Sequence, residues 1–162
     1  MARSVFFSFH YENDINRVMV ARNSWVIRGV QEAGFKDKAS FEEVKLKGKQ
    51  AIERWIDEQL QGTSVTVVLI GEETLSRDYV QYEICQSINR GNAIVGVHIC
   101  NIEDMRTKQR SRQGNVHTVI GYNNGTPLYF SSIADSIHDY SSDDGYANLG
   151  NWVEAAARKR GK

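Results

Sequence analysis

The sequence predicts an α/β fold in which helices cover both faces of a central, mainly parallel sheet. Three apolar segments, at residues 5–9, 63–70 and 93–99, have the length and composition of buried strands. Segments with apolar residues at helical spacing lie between them. Strands that alternate with helices pair in parallel through right-handed crossovers.

Composition and charge exclude several classes of protein. Of 162 residues, 41% are hydrophobic, which is typical of a folded domain and not of a disordered chain. The 20 acidic and 20 basic residues cancel, so we expect neither a nucleic acid nor a membrane as partner. No segment resembles a signal peptide or a membrane span, and the two cysteines indicate a reducing compartment. We therefore predict one soluble, cytoplasmic domain over residues 1–162.

The first strand, residues 5–9, leads into a helix for which Asn13 or Asp14 is the expected N-cap. Gly34 is expected to end this helical region. Its apolar residues recur at helical spacing, namely Ile15, Val18, Met19, Val26 and Val30.

The segment 35–49 is rich in lysine and weakly patterned, so we predict a mobile loop with a short strand at 39–41. A helix is expected at residues 50–61, because Ile52, Ile56 and Leu60 recur on one face.

The strand at 63–70 is a nearly continuous β-branched run, as in strands buried on both faces. Gly71 ends it, and Thr74 or Ser76 is expected to cap the next helix. That helix has a packing stripe of Val80, Ile84 and Ile88, and Tyr79 and Glu83 share the flank of the stripe.

The pattern weakens after the strand at 93–99. Residues 101–115 are charged and are expected to form a solvated loop. Strands are expected at 116–122 and 128–130, with Asn124-Gly125 inside a connection longer than two residues. The last helix is predicted at 146–160, with Trp152 and Val153 facing the core and a basic C-terminal end.

Two clusters carry the candidate chemistry. One is Ser8-Phe9-His10-Tyr11, at the carboxyl end of the first strand, and the other is Tyr79 with Glu83. Ligands of open α/β sheets bind at the carboxyl ends of strands, so both clusters are expected to line one crevice. The rings would stack on a base or a nicotinamide. A shielded carboxylate would bind ribose hydroxyls and stabilise an oxocarbenium-like centre.

The same residues also have purely structural interpretations. Glu83 taken alone is also compatible with a surface carboxylate that pairs with Arg77 or Arg90. Cys85 lies within a helix and is more typical of a small core residue than of a nucleophile. The basic run at 106–112 indicates a solvated loop, with phosphate contact as the alternative.

Familiar cofactor motifs are absent from the sequence. No GxGxxG follows a strand, and Gly48-Lys49 lacks the rest of a P-loop. His98 and Cys100 would share a strand face but lack a third ligand, so no metal site is expected.

Several segments resemble one known family. VFFSFHYEND, which begins at Val5, TSVTVVLIG, which begins at Thr63, and DYVQYEICQSINRGNAIVGVHI, which begins at Asp78, closely resemble the TIR-like domain family. The nearest resemblance is to the TIR subunit of the Thoeris bacterial antiphage system. SDDGYANLGNWV, at residues 142–153, is similar to the closing segment of those proteins. The resemblance covers residues 3–100 and about 140–153.

The resemblance implies a flavodoxin-like TIR fold and cleavage of the nicotinamide–ribose bond of NAD+. Glu83 would be the catalytic carboxylate. Residues Phe6 to His10 would border the NAD pocket, and the loop at 35–48 would gate it. Tyr79 stands where the family often has Trp. The implied NAD-binding residues are Phe6, Ser8, Phe9, His10 and Tyr79.

In Thoeris-type proteins the product is a cyclic or conjugated ADP-ribose signal, made when infection is sensed, which activates a partner effector protein. NAD+ is then a substrate, and neither a bound cofactor nor a metal is expected. TIR–TIR self-association or a phage-derived trigger is a further partner that the resemblance implies. The alternative function is a non-catalytic interaction module. A flavodoxin-like flavin or phosphoacceptor domain fits poorly, because the first strand is not followed by a phosphate-binding loop or paired aspartates.

Overall fold

The computed structural model describes residues 4–27, 32–33 and 38–162 of the chain. These residues form seven strands and six α-helices. The strands are β1 (Val5–Ser8), β2 (Glu32–Ala33), β3 (Val65–Ile70), β4 (Ala93–His98), β5 (Val119–Asn123), β6 (Thr126–Tyr129) and β7 (Ser136–Asp139). The helices are α1 (Tyr11–Ile27), α2 (Lys38–Lys45), α3 (Lys49–Leu60), α4 (Asp78–Asn89), α5 (Phe130–Ile133) and α6 (Gly145–Lys159).

Five of the strands form one sheet in the order β2-β1-β3-β4-β7. Every neighbouring pair is parallel, and the register places Phe7 opposite Val67 and Val67 opposite Val95. This strand order is that of flavodoxin-like folds, in which the switch point lies between the first and third strands. The predicted α/β architecture is confirmed.

Helices pack on both faces of the sheet because the strand residues alternate between the faces. Val5, Phe7 and Phe9 point towards α1 and α6, while Phe6 packs against α3. On the same side as Phe6, residues of β3 and β4 pack against α4. All residues of β1, β3 and β4 are buried, which explains why these strands are continuous apolar runs.

Strands β5 and β6 form a separate antiparallel hairpin. Asn124 and Gly125 connect them, and both have positive φ, 52° and 81°. Two-residue turns of this kind match the right-handed twist of the strands. The prediction of a longer connection was wrong, because the strands extend to Asn123 and Thr126.

The structure corrects the expected starts of two helices. Helix α1 begins at Tyr11, so Asn13 and Asp14 lie inside its first turn instead of capping it. Helix α4 begins at Asp78, because Thr74–Ser76 forms a separate 3₁₀ turn. Asp14 in the first segment and Thr74 in the second are hydrogen-bonded to each other. This tertiary contact overrides the local capping preference of both side chains.

The segment predicted as a mobile loop contains a helix. Residues 38–45 form α2, and the strand expected at 39–41 is absent there. Strong helix formers such as Lys, Ala and Glu dominate this stretch, and their propensity outweighs its weak apolar pattern. The expected helix end at Gly34 and the apolar position Val30 lie outside the described residues, as do residues 35–37.

The predictions for α3 and α6 agree better with the structure. Helix α3 buries Ile52, Ile56 and Leu60, and α6 buries Val153 with Trp152 half-buried beside it. Strand β7 was missed, because it lies at the sheet edge and all four of its residues are only half-buried. Such a strand carries no continuous apolar run. No helix within residues 4–27 and 38–162 is long and apolar enough to cross a membrane.

Candidate active site

A cleft of about 260 Å³ opens at the carboxyl end of β1. Phe9 and His10 enter it because they directly follow the strand, and Tyr79 and Val80 enter it from the first turn of α4. Lys45, the last residue of α2, closes one side. The remaining lining residues are Tyr11, Glu12, Arg77 and Asp78.

Glu83 lies one turn further along α4 and is 0% exposed. Its Oε2 accepts a short hydrogen bond from the Oγ of Ser8, which is also 0% exposed. Ser8 is the last residue of β1, and its neighbour Phe9 lines the cleft. The Ser8–Glu83 pair therefore lies directly behind the cleft wall.

The position of Glu83 follows from how α4 packs. The buried residues of this helix are Val80, Glu83, Ile84 and Ser87, which recur at intervals of three and four. Glu83 thus belongs to the core-facing stripe. The alternative of a surface ion pair was wrong: Arg77 pairs with Glu73, and Arg90 is exposed at the end of the helix.

Two ion pairs lie at the rim of the cleft. The Nζ of Lys45 is 3.2 Å from Glu12 Oε1, and this pair joins α2 to α1. The Nη2 of Arg77 is 2.5 Å from Glu73 Oε2. Both pairs are exposed, so each contributes little to stability.

His10 lies in the cleft wall, and its lowered pKa favours the uncharged imidazole. Burial, and secondly the guanidinium of Arg77, lower the pKa of this imidazole from its ordinary value of 6.5. Its Nδ1 is buried without a hydrogen-bond partner. An uncharged ring at this position does not repel a cationic group such as the nicotinamide of NAD+.

The structure brings most of the predicted site residues together. Phe9, His10 and Tyr79 line the cleft, and Ser8 contacts Glu83 behind it. Phe6 is fully buried in a cluster with α3, and Tyr79 packs against that cluster. Phe6 thus belongs to the buried cluster beside Tyr79 and does not line the cleft. The roles of these residues in binding and catalysis stay predictions.

Sequence reasoning missed several lining residues. Lys45 was assigned to a loop, and only the packing of α2 brings its ammonium group to Glu12. Arg77 was considered only as a partner of Glu83. Tyr11 was not missed, because it belongs to the predicted cluster Ser8-Phe9-His10-Tyr11, and it lines the cleft.

A second buried carboxylate lies near the cleft, at the end of β3. Asp14 is 3% exposed, and its Oδ2 accepts a hydrogen bond from Thr74 Oγ1 at 3.3 Å. Thr74 Oγ1 in turn accepts from the backbone N–H of Gly71 at 2.8 Å. Burial is the largest cause that raises the pKa of Asp14, which reaches about 6. This arrangement ties the first turn of α1 to the strand end.

Replacing Gly71 by alanine is expected to destabilise the fold. A Cβ at this position would lie 2.1 Å from Asp14 Oδ2 and 2.5 Å from its Cγ, so the buried carboxylate must move and its bond to Thr74 is strained or lost. Overpacking of this kind costs about 1–3 kcal/mol. The free energy of unfolding from urea titration measures the loss.

Gly150→Ala is the matched control for that substitution. No atom lies within 4 Å of a Cβ added at Gly150, which is inside α6. Alanine there should stabilise by about 0.5–1 kcal/mol, because it is the better helix former. Equal stability of the Gly71→Ala variant and the wild type would contradict the close packing of Asp14.

The structure gives less support to Cys85 as a nucleophile and to His98 and Cys100 as metal ligands. The thiol of Cys85 donates to the carbonyl oxygen of Ile120 at 3.4 Å, and burial raises its pKa, which disfavours a thiolate nucleophile. His98 and Cys100 are both buried at the end of β4. The part of the chain that the structure describes holds no group of three His, Cys, Asp or Glu side chains placed to bind a metal ion.

Two comparisons with known proteins bear on this site. The sequence model of the family described as "Thoeris protein ThsB, TIR-like domain" matches residues 6–104, which include β1 from its second residue, the cleft and Glu83. The chain is also 40% identical over 191 aligned residues to a protein of Bacillus cereus (strain MSX-D12), named "Putative cyclic ADP-D-ribose synthase ThsB1". That alignment covers 94% of this chain and 100% of the relative.

Proposed function

Because the chain belongs to the TIR-like domain family of Thoeris protein ThsB, we propose that it is an NAD-processing enzyme. It cleaves the bond between nicotinamide and ribose and makes a cyclic or conjugated ADP-ribose. This product is a diffusible signal in antiphage defence and activates a partner effector protein. The name of the Bacillus cereus relative, a cyclic ADP-D-ribose synthase, supports the reaction class.

The observation that carries the proposal is the position of Glu83. A carboxylate that is 0% exposed in a helix–sheet interface is costly unless hydrogen bonds compensate for lost water, and Ser8 provides one of them. Such a group is rare in a purely structural interface. Beside an aromatic cleft at the carboxyl end of β1, it is suited to stabilise positive charge on a bound sugar.

The reaction needs orientation and electrostatic stabilisation more than proton transfer. Nicotinamide in NAD+ is already a cationic leaving group, so it departs with the electrons of the glycosidic bond and leaves positive charge at the anomeric carbon. We expect the ribose hydroxyls to take the place of the Ser8 hydroxyl at Glu83. The carboxylate then binds the ribose and stabilises that charge.

The dimensions of the cleft fit part of the dinucleotide. Its volume of about 260 Å³ is below the range of roughly 300–1,000 Å³ for sites that enclose a whole small molecule. Nicotinamide and its ribose would therefore occupy the cleft, with Tyr79 and Phe9 as apolar surfaces. The adenosine half would extend into one of two flanking grooves, which share Tyr11 and Glu12, or Asp78 and Tyr79, with the cleft.

The fate of the sugar cation depends on water. In an open site water captures the cation and the enzyme is a hydrolase. In a closed site an internal hydroxyl or an added nucleophile captures it, which gives a cyclic or conjugated product. A cyclic or conjugated product therefore requires that the bound substrate, or closure of the cleft around it, keeps water away from the anomeric carbon.

The test is turnover of NAD+ by the purified protein, with nicotinamide measured by chromatography and the nucleotide products by mass spectrometry. We expect nicotinamide and a cyclic or conjugated ADP-ribose. Cells that express the protein, with and without phage infection, provide the second arm, which includes any trigger that infection supplies. No nicotinamide release in either arm, together with concentration-dependent association in light scattering, would instead support a non-catalytic interaction module.

Tyr79→Ala is expected to raise the KM for NAD+ about tenfold, because loss of an aromatic contact costs up to about 1.5 kcal/mol. Tyr79→Phe keeps the ring and should have a KM close to that of the wild type. Steady-state kinetics of nicotinamide release checks both values. An unchanged KM in the alanine variant would exclude stacking by Tyr79.

A further inference from the structure

We propose that a buried chain of hydrogen bonds through Asn92, Thr66 and Ser87 positions Glu83 for the reaction. This inference rests on the proposed function and assigns positioning roles to residues outside the cleft. The three side chains are 3%, 0% and 0% exposed. They lie between α4 and the start of β3, in an interface that is otherwise largely apolar.

The chain of hydrogen bonds ends on the backbone of Glu83. The Oγ of Ser87 donates to the carbonyl oxygen of Glu83 at 2.7 Å. The same Oγ lies 2.7 Å from Oγ1 of Thr66, on β3. Asn92, which follows α4, donates from Nδ2 to Thr66 Oγ1 at 3.4 Å and to Thr63 Oγ1 at 3.0 Å.

The donors and acceptors allow one direction for these bonds. A serine hydroxyl has a single proton, and that of Ser87 goes to Glu83. Thr66 must therefore donate to Ser87, and its own oxygen then accepts from Asn92. Each hydroxyl in the series is both donor and acceptor. The removal of one hydroxyl leaves a buried neighbour unsatisfied.

The far end of the chain is also anchored. The Oγ1 of Thr63 donates to the carbonyl oxygen of Leu60 at 2.6 Å, at the end of α3. The hydrogen bonds thus connect the end of α3, the start of β3, and the segment from α4 to the start of β4. They link the helix that carries Glu83 to the sheet that carries Ser8, since β1 and β3 are paired.

Apolar packing alone does not fix the rotation of α4 on the sheet, because it is not directional. Val80 and Ile84 hold α4 on the sheet, but they tolerate a small rotation or slide of the helix. Hydrogen bonds restrict distance and angle. Ser87 lies one turn beyond Glu83 on the same stripe, so its contact with Thr66 sets the rotation of the helix that brings the carboxylate to Ser8.

The experiment compares Thr66→Val with Thr66→Ser. Valine keeps the shape of the side chain and removes the hydroxyl, whereas serine keeps the hydroxyl and restores the chain of hydrogen bonds. We expect Thr66→Val to lower kcat for nicotinamide release about tenfold with KM changed less than about twofold, because small misplacement of a catalytic group is costly. Thr66→Ser should have a kcat close to that of the wild type.

Val97→Ala is the control for a loss of stability alone. Val97 is buried on the opposite face of the sheet, against α1 and α6. This variant should have a lower melting temperature and an unchanged kcat for the folded protein. If Thr66→Val has a wild-type kcat, or only a lower melting temperature, the positioning role is overturned.

A crystal structure of Thr66→Val provides a readout that does not depend on activity. We expect the Glu83 carboxylate to move relative to Ser8 by about 1 Å, a shift large enough to impair catalysis. An unchanged Ser8–Glu83 contact would overturn the inference. Absence of NAD+ turnover by wild type in every condition would refute the proposed function, while the structural result still decides whether the buried chain positions Glu83.

Discussion

Replacing Glu83 by glutamine is expected to lower the rate of nicotinamide release from NAD+ by at least about 100-fold, the usual effect of removing a group that stabilises transition-state charge. Glutamine has nearly the same shape, and its carbonyl oxygen can still accept from Ser8. It lacks the negative charge. The variant should therefore remain folded and still bind NAD+, so the loss appears in kcat.

The control is Glu72→Gln, which neutralises an exposed glutamate just beyond β3. It should release nicotinamide at the wild-type rate. Circular dichroism and a melting curve establish that both variants are folded. Undiminished release by a well-folded Glu83→Gln protein would refute Glu83 as the catalytic residue, even if the wild type turns over NAD+.

Asp14 is expected to make the fold less stable as the pH rises from about 4 to about 6. The pKa of this carboxyl is raised from its ordinary 3.8 to about 6, chiefly by burial. Between these values the native protein keeps the proton and the unfolded chain has released it, so a higher pH favours unfolding. A difference of about two pH units corresponds to about 3 kcal/mol.

Asp14→Asn removes this titration and keeps a polar side chain of the same size. The free energy of unfolding of the variant minus that of the wild type should rise by about 2.5 kcal/mol between pH 4 and pH 7. Taking the difference between the two proteins cancels the contributions of groups that do not interact with Asp14, while Arg17, which pairs with it at 3.8 Å, keeps its charge throughout this pH range. Glu58→Gln, at an exposed position of α3, should give a flat difference curve. A flat curve for Asp14→Asn would contradict a buried, protonated carboxyl.

Local patterns were enough to predict the strands at the centre of the sheet and the helices that carry apolar stripes. The runs at β1, β3 and β4 are apolar throughout because both faces of these strands are covered. Helix α3 was predicted from Ile52, Ile56 and Leu60, which it buries. These predictions succeeded because each depends on periodicity within a single element.

The predictions that failed concern features that depend on contacts between residues far apart in the sequence. The sequence was compatible with Asp14 as a helix cap, but its carboxylate instead accepts from Thr74, 60 residues away. Strand β7 lies at the sheet edge with no continuous apolar run, so only its pairing with β4 identifies it. Neither feature leaves a local signal.

The sequence by itself determined that a parallel α/β sheet would bring the end of β1 near the start of α4. By family resemblance it also identified Glu83 as the residue of interest. Only the tertiary structure decided between a surface ion pair and a buried carboxylate. Helical spacing places Glu83 on the flank of a stripe, but burial depends on which neighbour covers that flank. Here the neighbour is Ser8, 75 residues earlier, and pairing of β1 with β3 brings it there.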